Sequence, residues 1–371
     1  MNSNELAAWH KKNKIKGLDS RYFPIEVLEK VLESHFNTLK PNKIGVSATG
    51  RPIYSLKLGE GTTRVLLWSQ MHGNESTTTR SILDTLHFLR SNNPLGPVLL
   101  SNLSVYLIPI LNPDGAELFT RVNSNQIDLN RDATSLSQPE SRLLREVFLD
   151  FEPHYCFNLH DQRSIFGVGL SGVPATLSFL APAANAELEI TSNRKIAMQI
   201  ISGVRQALNP ILGGGIGRFS DEFNPNCVGD QFQMHNTPTI LFEAGHYAFD
   251  YTRNSTREFL FTAFIEALRL IAETTYQKFS LEGYFNIPEN TKSFTDLHVY
   301  NPHILNARFS PKSVVKLFFE EQLVEKSVIQ RPVLLNETIS SGQFAHKILD
   351  ASKIEDLEWI KSVPILSNYF E

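Results

Sequence analysis

The feature that most constrains the fold is a regular alternation of short apolar runs with longer stretches of helical periodicity. Apolar runs of strand length occupy residues 65–68, 103–110, 155–159 and 238–242. Helical spacing of apolar residues covers residues 75–90, 137–150, 186–208 and 255–276. Strands that alternate with helices form a sheet covered on both faces. The pattern therefore predicts an α/β fold, an α/β/α sandwich around a mixed, mostly parallel twisted sheet.

The two ends of the chain depart from this alternation. Residues 1–42 contain a helical pattern over 24–40, and residues 44–58 alternate like a hairpin around the turn 49–52. After about residue 279, short β-type runs such as 294–299, 314–319 and 333–335 replace the long helices. We therefore predict a main domain over residues 1–279 with a helical N-terminal lead-in (1–42). Residues 280–371 are predicted to form a small β-rich C-terminal appendage.

Composition excludes several classes of function. The chain has 371 residues, 42% of them hydrophobic, with a net charge of −4, so nothing favours a nucleic-acid partner. No apolar run approaches the roughly 18 residues of a membrane helix, and the N-terminus does not look like a signal peptide. The two cysteines give no disulfide framework. We expect no membrane association and a cytoplasmic location; oligomeric state is not readable from the sequence.

Two histidines and a glutamate are placed where they could bind one metal ion. His72 and Glu75 lie three residues apart, directly after the apolar run 65–68, and His160 ends the run 155–159. Three protein ligands with an open fourth position are typical of catalytic zinc, whereas structural zinc has four protein ligands. The pattern favours a hydrolytic zinc site, although each residue alone is also compatible with an ordinary role at a loop or helix start.

Further polar residues follow other predicted strands. Arg121, Asn130 and Arg131 lie on the loops after the run 103–110, where arginines suit two-point recognition of a carboxylate. They could equally form surface ion pairs with neighbouring acids. Glu243 closes the run 238–242, at the edge where α/β folds place ligands, and near a metal it could accept a proton from water. It could also simply cap the next segment.

In order along the chain, these residues resemble the zinc metallocarboxypeptidase family (funnelins). The resemblance rests on His72-x-x-Glu75, Asn112-Pro113-Asp114-Gly115, Arg121, Asp128-Leu129-Asn130-Arg131, His160 and Glu243, preceded by Thr49-Gly50-Arg51-Pro52-Ile53. It covers roughly residues 40 to 275. The run 128–131 is most similar to the bacterial cytosolic and peptidoglycan-peptide branches of that family.

The resemblance implies a catalytic domain and a role for each residue. His72, Glu75 and His160 would bind one Zn²⁺ per chain. Glu243 would be the general base that activates zinc-bound water and then the proton donor. Arg121 would polarise the scissile carbonyl, and Asn130 with Arg131 would hold the terminal carboxylate. The implied activity is a zinc metallocarboxypeptidase that hydrolyses an amide next to a free carboxylate in short peptides, with cell-wall peptides as candidates.

One departure keeps an alternative open. Many members of the family carry a mobile tyrosine between the third zinc ligand and the catalytic glutamate, and no tyrosine lies between residues 155 and 247 here. The sequence also resembles N-acyl amino-acid deacylases of the succinylglutamate desuccinylase and aspartoacylase type, which likewise have a β-rich C-terminal part. The Asn-Pro-Asp-Gly turn favours the peptidase. A third hypothesis is a recognition module without catalysis.

Several residues near these motifs have open roles. Val228 and Asp230 precede Glu243 by about the length at which the family places its specificity pocket. Asp221, Glu222 and Asp230 could receive a basic side chain, but we expect solvated loop acids. Asp161 either orients His160 or is an ordinary strand-end acid. His235 and His246, which flank the strand of Glu243, are expected to be packing or substrate-lining residues.

Overall fold

The computed structural model describes residues 1–247, 249–336 and 343–371. Within these residues the α-helices are α1 Ser3–Asn13, α2 Ile25–His35, α3 Thr77–Arg90, α4 Leu95–Asn102, α5 Pro113–Leu118, α6 Pro139–Phe151, α7 Ser192–Leu212, α8 Val228–Met234, α9 Asn254–Ala272, α10 Leu281–Phe285, α11 Ile354–Ser362 and α12 Pro364–Phe370. The strands are β1 Asn42–Val46, β2 Pro52–Leu58, β3 Thr63–Ser69, β4 Leu103–Ile108, β5 Tyr155–Asp161, β6 Phe166–Val168, β7 Leu177–Leu180, β8 Ile216–Arg218, β9 Thr239–Ala244, β10 Asn290–Lys292, β11 Phe294–Tyr300, β12 Val314–Val324, β13 Ser327–Asn336 and β14 Phe344–Asp350.

The main sheet is mixed and mostly parallel, as the sequence predicts. Among the described residues it contains eight strands in the order β1-β2-β4-β3-β5-β9-β7-β8. The central strands β4, β3, β5 and β9 run parallel to one another, whereas β2 pairs with β4 in the antiparallel direction. The hairpin β1–β2 and the pair β7–β9 are antiparallel. A parallel core places the carboxyl ends of β3, β5 and β9 along one edge, which is where such sheets bind ligands.

Helices cover both faces of this sheet because the central strands are apolar on both faces. Along β3, Val65 and Leu67 belong to a core packed against α3, α7 and α9. The alternate residues Leu66 and Trp68 belong to a second core that includes side chains of α6 and α8. Successive side chains of a strand point to opposite faces. The predicted α/β/α sandwich is therefore confirmed.

One predicted helix start differs from the structure. The helical spacing over 137–150 predicts a helix from residue 137, but α6 begins at Pro139 after Gln138, without a side-chain cap. The Glu140 carboxylate instead accepts a hydrogen bond from the Ala48 backbone N–H at 3.0 Å. The carboxylate of this first-turn residue thus joins the start of α6 to a distant loop. No helix in the described ranges is both long enough and apolar enough to cross a membrane.

The C-terminal residues form a second sheet with its own core. Among the described residues it has the order β13-β12-β11-β14, antiparallel except for the β11–β14 pair. Leu297, Val315 and Leu349 pack there against α11 and α12. The segment before this sheet stays with the main domain, since Tyr284 and Ile287 lie in the main core and β10 pairs with β6. The boundary between residues 279 and 280 remains a proposal.

Candidate active site

The loop between β3 and α3 presents two of the candidate ligands. Gln70 adopts a left-handed backbone conformation with φ 49°, and its side-chain amide donates to the Gly73 carbonyl at 2.9 Å. Gly73 allows the loop to lie on α5, because a Cβ there would stand 1.8 Å from the Gly115 backbone. His72 and Glu75 are thereby held in one tight turn, whose Glu75 N–H donates to the His72 carbonyl at 3.0 Å. A side chain larger than glycine at position 73 would displace both.

His72, Glu75 and His160 converge, and their ligand atoms all lie within 4.8 Å of one another. The Glu75 carboxylate is 2.9 Å from Nδ1 of His72 through Oε1. Its Oε2 is 2.9 Å from Nδ1 of His160. The two imidazole Nδ1 atoms are 3.1 Å apart. All three residues are buried, with relative exposures of 1%, 8% and 2%.

This geometry fits a bound zinc ion. Zn–N bonds of about 2.0–2.1 Å in a tetrahedral arrangement place neighbouring ligand atoms about 3.3 Å apart, close to the contacts seen here. Burial raises the pKa of Glu75, but the two imidazoles outweigh that and hold the pKa well below its usual range. Burial lowers the pKa of His160, which favours the neutral, metal-binding imidazole. Two nitrogens and one carboxylate are a ligand set typical of catalytic zinc.

Asp128 orients one of these ligands, a role that the sequence reasoning missed. Its Oδ1 lies 2.9 Å from Nε2 of His72, on the side of the ring opposite Nδ1. The same oxygen accepts the Asn130 N–H at 2.9 Å. Metal-binding histidines commonly donate their second N–H to a carboxylate, which fixes the tautomer and the ring orientation. The only signal in the sequence was an acid in the run 128–131, and nothing local linked it to a histidine 56 residues earlier.

Asp161 does not orient His160. Its carboxylate accepts the Thr77 and Thr78 backbone N–H groups at the start of α3, at 3.0 and 3.3 Å. The second ring nitrogen of His160, Nε2, is buried and has no hydrogen-bond partner among the described residues. Of the two possibilities left open for Asp161, the structure supports the one without a role at His160: the carboxylate caps a helix N-terminus.

Glu243 lies beside the ligand group. It is paired in register with His160 on the neighbouring parallel strand, so the two side chains point to the same face of the sheet. Burial, followed by the Glu75 and Asp161 charges, raises the pKa of Glu243 well above its usual range. A divalent cation at the ligand group would favour the ionised form of this carboxyl. Glu243 thus lies next to the ligand group as a carboxyl whose protonation depends on the charges beside it.

The three polar residues predicted to bind substrate surround the same space. Arg121 is half-exposed and contacts both Glu75 Oε1, at 3.2 Å, and Asp128 Oδ2, at 3.1 Å. Asn130 accepts the Val228 N–H at the start of α8 at 3.1 Å. Nη1 of Arg131 donates to the Asn130 carbonyl at 2.8 Å, and the guanidinium is exposed. Two arginines and an amide thus face a cavity in which charge can be recognised.

One cavity of about 590 Å³ contains every candidate site residue. It is lined by His72, Glu75, His160, Glu243, Arg121, Asn130 and Arg131 together with residues of the loop 219–230. In the part of the chain that the structure describes, no tyrosine lines it, and Phe219 and Phe223 are present on that loop instead. No tyrosine from elsewhere in the described residues therefore enters this cavity.

The structure corrects the expectation for Asp230. We expected a solvated loop acid, but Asp230 is only 7% exposed and lines the cavity. Burial raises its pKa from the ordinary 3.8 to about 6. Asp221 pairs with Arg194, while Glu222 and Cys227 line the cavity and Val228 is buried in the second core. A buried acid with one backbone hydrogen bond is the strongest candidate in this cavity for contact with a polar or basic substrate group.

The two histidines that flank β9 lie outside the ligand group. His235 is exposed, and its Nδ1 is 2.7 Å from the Gln231 carbonyl. His246 is 2% exposed and packs against the ring of His346, with centroids 4.1 Å apart. Both roles agree with the expectation of packing or lining residues.

Comparison with known proteins agrees with the geometry. Residues 25–162 match the sequence profile described as zinc carboxypeptidase. The segment contains six of the seven candidate residues and ends before Glu243. Carboxypeptidase 2 of Trichophyton tonsurans is 34% identical over 186 residues, which are 49% of this chain and 32% of that protein. The chain spans about a third of the length of this curated relative, so the alignment supports the segment and not the whole protein.

Solved structures extend the likeness to most of the fold. A metallo-carboxypeptidase from Burkholderia cenocepacia matches with a TM-score of 0.54 at 15% identity, over 68% of this chain and 70% of that one. A metallo-carboxypeptidase from Pseudomonas aeruginosa, in complex with (2-guanidinoethylmercapto)succinic acid, matches with a TM-score of 0.53 at 16% identity, over 68% of this chain and 70% of that one. At such identities the likeness concerns the fold.

Proposed function

We propose that this chain, whose residues 25–162 match the zinc carboxypeptidase profile, hydrolyses the amide bond before the C-terminal residue of a short peptide. The observation that carries the proposal is the single cavity that brings together the metal-ligand group, Glu243 and the carboxylate-binding arginine. A proton acceptor, a metal ligand set and an anion receptor within one cavity are what hydrolysis next to a free carboxylate requires.

His72, Glu75 and His160 would hold one zinc ion. Bound there, zinc would act as a Lewis acid and would lower the pKa of a coordinated water toward 7. Asp128 keeps the His72 ring turned so that Nδ1 faces the ligand group. The Asp161 backbone N–H, which donates to Glu75 Oε2 at 3.0 Å, holds the carboxylate between the two imidazoles.

Arg131 and Asn130 would bind the terminal carboxylate of the substrate. A guanidinium presents a planar pair of donors that matches a carboxylate, and Nη1 of Arg131 is already fixed by the Asn130 carbonyl. Arg121 contacts Glu75 and Asp128 and would donate to the oxygen of the scissile carbonyl, where negative charge develops. A donor placed in this way is worth on the order of 3 kcal/mol of barrier.

Glu243 would transfer the proton. With a cation at the ligand group, Glu243 would be ionised, so it could accept a proton from the attacking water and keep it until the amide nitrogen leaves. Positioned proton transfer of this kind contributes typically 10²–10⁴-fold to the rate. Because Glu243 is not among the ligand group, replacing it should remove this contribution without removing the metal.

The test uses the zinc-loaded protein with one pool of short peptides, cell-wall peptides and N-acyl amino acids, read by mass spectrometry. We expect loss of single C-terminal residues by the wild type and at least a hundredfold slower loss by Glu243→Gln. Zinc content, measured by elemental analysis, should be equal in the two proteins.

Other outcomes would reject the peptidase proposal. Release of acyl groups alone would assign the chain to the N-acyl amino-acid deacylases, a candidate kept open because no tyrosine lines the cavity among the described residues. Normal zinc content without turnover of any amide would favour a recognition module.

The cytoplasmic location remains a prediction, to be checked by fractionating the native cells. The two unpaired cysteines, Cys156 and Cys227, are consistent with it.

A further inference from the structure

A second cavity, of about 420 Å³, adjoins the candidate active site. Glu75 and Arg121 line both cavities, as do the three residues that follow His160 along the chain, 161–163. Asn130 and Arg131 line only the first. Glu75 of the ligand group therefore stands at the junction of two arms, and the proposed carboxylate receptor lies in one of them.

The C-terminal sheet forms one side of the second arm. Phe319, Glu320 and Glu321 of β12 and Gln330 of β13 line this cavity opposite the residues that follow His160. The Glu320 side chain is exposed and forms neither a hydrogen bond nor an ion pair with the described residues. The appendage thus contributes directly to the space beside the metal-ligand group.

Arg21 connects the C-terminal sheet to the elements that carry the candidate metal ligands. Its Nη1 donates to Glu321 of β12 at 2.8 Å. Its Nη2 donates to the carbonyl of Asn74, between His72 and Glu75 in the chain, at 3.2 Å. The same atom is 3.4 Å from the Asp161 carboxylate. With a side-chain exposure of 4%, this guanidinium holds the C-terminal sheet against both ligand segments.

A second set of contacts fixes the C-terminal sheet to the segment after His160. The buried carboxylate of Asp296 accepts the Tyr251 hydroxyl at 2.8 Å and the Phe319 N–H at 2.8 Å. It also accepts the Ser164 hydroxyl at 3.2 Å. Nε2 of His346 donates to the Ser164 carbonyl at 2.7 Å. The strand that carries Phe319 and the segment after His160 are therefore positioned relative to each other by one buried acid.

We propose that the C-terminal sheet is the upstream wall of the substrate cleft and restricts the substrate to a few residues before the scissile bond. The direction rests on the proposed function: with the terminal carboxylate at Arg131, the chain upstream of the scissile bond enters the second arm. An extended residue occupies about 160 Å³, from a rise of about 3.3 Å, a strand spacing of about 4.8 Å and a layer of about 10 Å. The arm of about 420 Å³ then accommodates two to three residues.

The experiment measures kcat/KM for a ladder of peptides that share the two residues around the scissile bond and differ in upstream length. Phe319→Ala removes part of the wall and Gln330→Trp narrows the arm. Val324→Ala, on the same strand but away from the cavity, is the matched control. Melting temperatures of all variants check that each is folded, and Gln330→Trp remains informative if Phe319→Ala does not fold.

We expect the wild type to lose at least tenfold in kcat/KM once more than three residues precede the bond. Phe319→Ala should reduce that loss at least fivefold and Gln330→Trp should increase it, with Val324→Ala unchanged. Equal kcat/KM for the shortest and longest peptides in the wild type would overturn the proposal. So would a uniform decrease at all lengths in Phe319→Ala.

A binding measurement separates this inference from the proposed function. Calorimetric titration of zinc-loaded Glu243→Gln with the same ladder reports length dependence without turnover. If the wild type cleaves no peptide, but the affinity of Glu243→Gln rises over the first two or three upstream residues and then falls, the peptidase proposal is wrong. The proposal that the C-terminal sheet limits substrate length is then still supported. If short peptides are cleaved and affinity is independent of length, the proposal for the C-terminal sheet is wrong and the peptidase proposal is still supported.

Discussion

Replacing Asp128 by asparagine should weaken zinc binding without unfolding the protein. Asp128 accepts from His72 Nε2 through Oδ1, at 2.9 Å, and from the Arg121 guanidinium through Oδ2, at 3.1 Å. A carboxylate serves both donors, whereas an amide offers one acceptor and one donor group. Either the amide nitrogen meets the guanidinium, or it meets His72.

Each orientation has a cost. If the amide oxygen faces Arg121, the amide NH₂ donates to Nε2 and the proton of His72 moves to Nδ1, the atom that must bind the metal. If the oxygen faces His72, the NH₂ opposes the guanidinium and the partner charge of Arg121 is lost. Changes at a carboxylate that supports a metal-binding histidine typically cost 10–100-fold in affinity, which is about 1.4–2.7 kcal/mol. The two-sided conflict places Asp128→Asn at the upper end.

The assay is competition for zinc against a chromophoric chelator at pH 7.5, with thermal melting of the metal-free protein in parallel. Asp132→Asn is the control, because Asp132 lies four residues away and accepts from Ser137 and Gln138 without contacting a ligand. We expect the zinc Kd to rise close to a hundredfold in Asp128→Asn and less than twofold in Asp132→Asn. A Kd within twofold of the wild type in Asp128→Asn would refute the assigned role.

Two further predictions concern stability. Burial raises the pKa of Asp230 from 3.8 to about 6, so the folded state binds this proton more tightly and loses up to about 3 kcal/mol as the pH rises from about 4 to 6. Asp230→Asn should therefore increase the free energy of unfolding by about 1–3 kcal/mol at pH 7.5 and much less at pH 4, and an equal change at both pH values in denaturant titrations would contradict this. Asp84 accepts two 2.7 Å hydrogen bonds from Arg257 in a fully buried pair. Asp84→Asn should cost about 3–5 kcal/mol, because the buried guanidinium would keep only the exposed Asp19, 3.9 Å away, as a charged partner. A loss of less than 1 kcal/mol in the same titrations would contradict this.

The fold and the ligand group could be predicted because their signals are local. A buried parallel strand must be apolar on both faces. It therefore appears in the sequence as a continuous apolar run, as at 65–68 and 155–159. His72 and Glu75 lie in one turn after β3, and His160 lies near the end of β5, which is paired with β3. The order of strands in the sheet therefore brings all three residues to one edge. The carboxyl ends of adjacent parallel strands leave little freedom in where those side chains lie.

Contacts between distant segments left no such signal. Asp114 of the Asn-Pro-Asp-Gly motif accepts from Ser47 at 2.8 Å, from the Thr49 N–H at 3.1 Å and from Arg51 at 3.0 Å. Two motifs that are separate in the sequence are thus in contact, and together they connect the β1–β2 hairpin to the start of α5. The burial of Asp230 likewise depends on how the loop 219–227 folds over α8, which no periodicity describes.

The separation into a main domain and an appendage is less clear at the active site than along the chain. Arg21 comes from the N-terminal lead-in, Asp161 from the strand of a ligand, and Glu321 from the C-terminal sheet, and one guanidinium contacts both carboxylates. A buried arginine that loses one partner keeps its desolvation cost, so displacing the C-terminal sheet would disturb the segment between His72 and Glu75. The C-terminal sheet is therefore best regarded as part of the structure around the candidate active site, joined to it through the residues that hold the loop of His72 and Glu75.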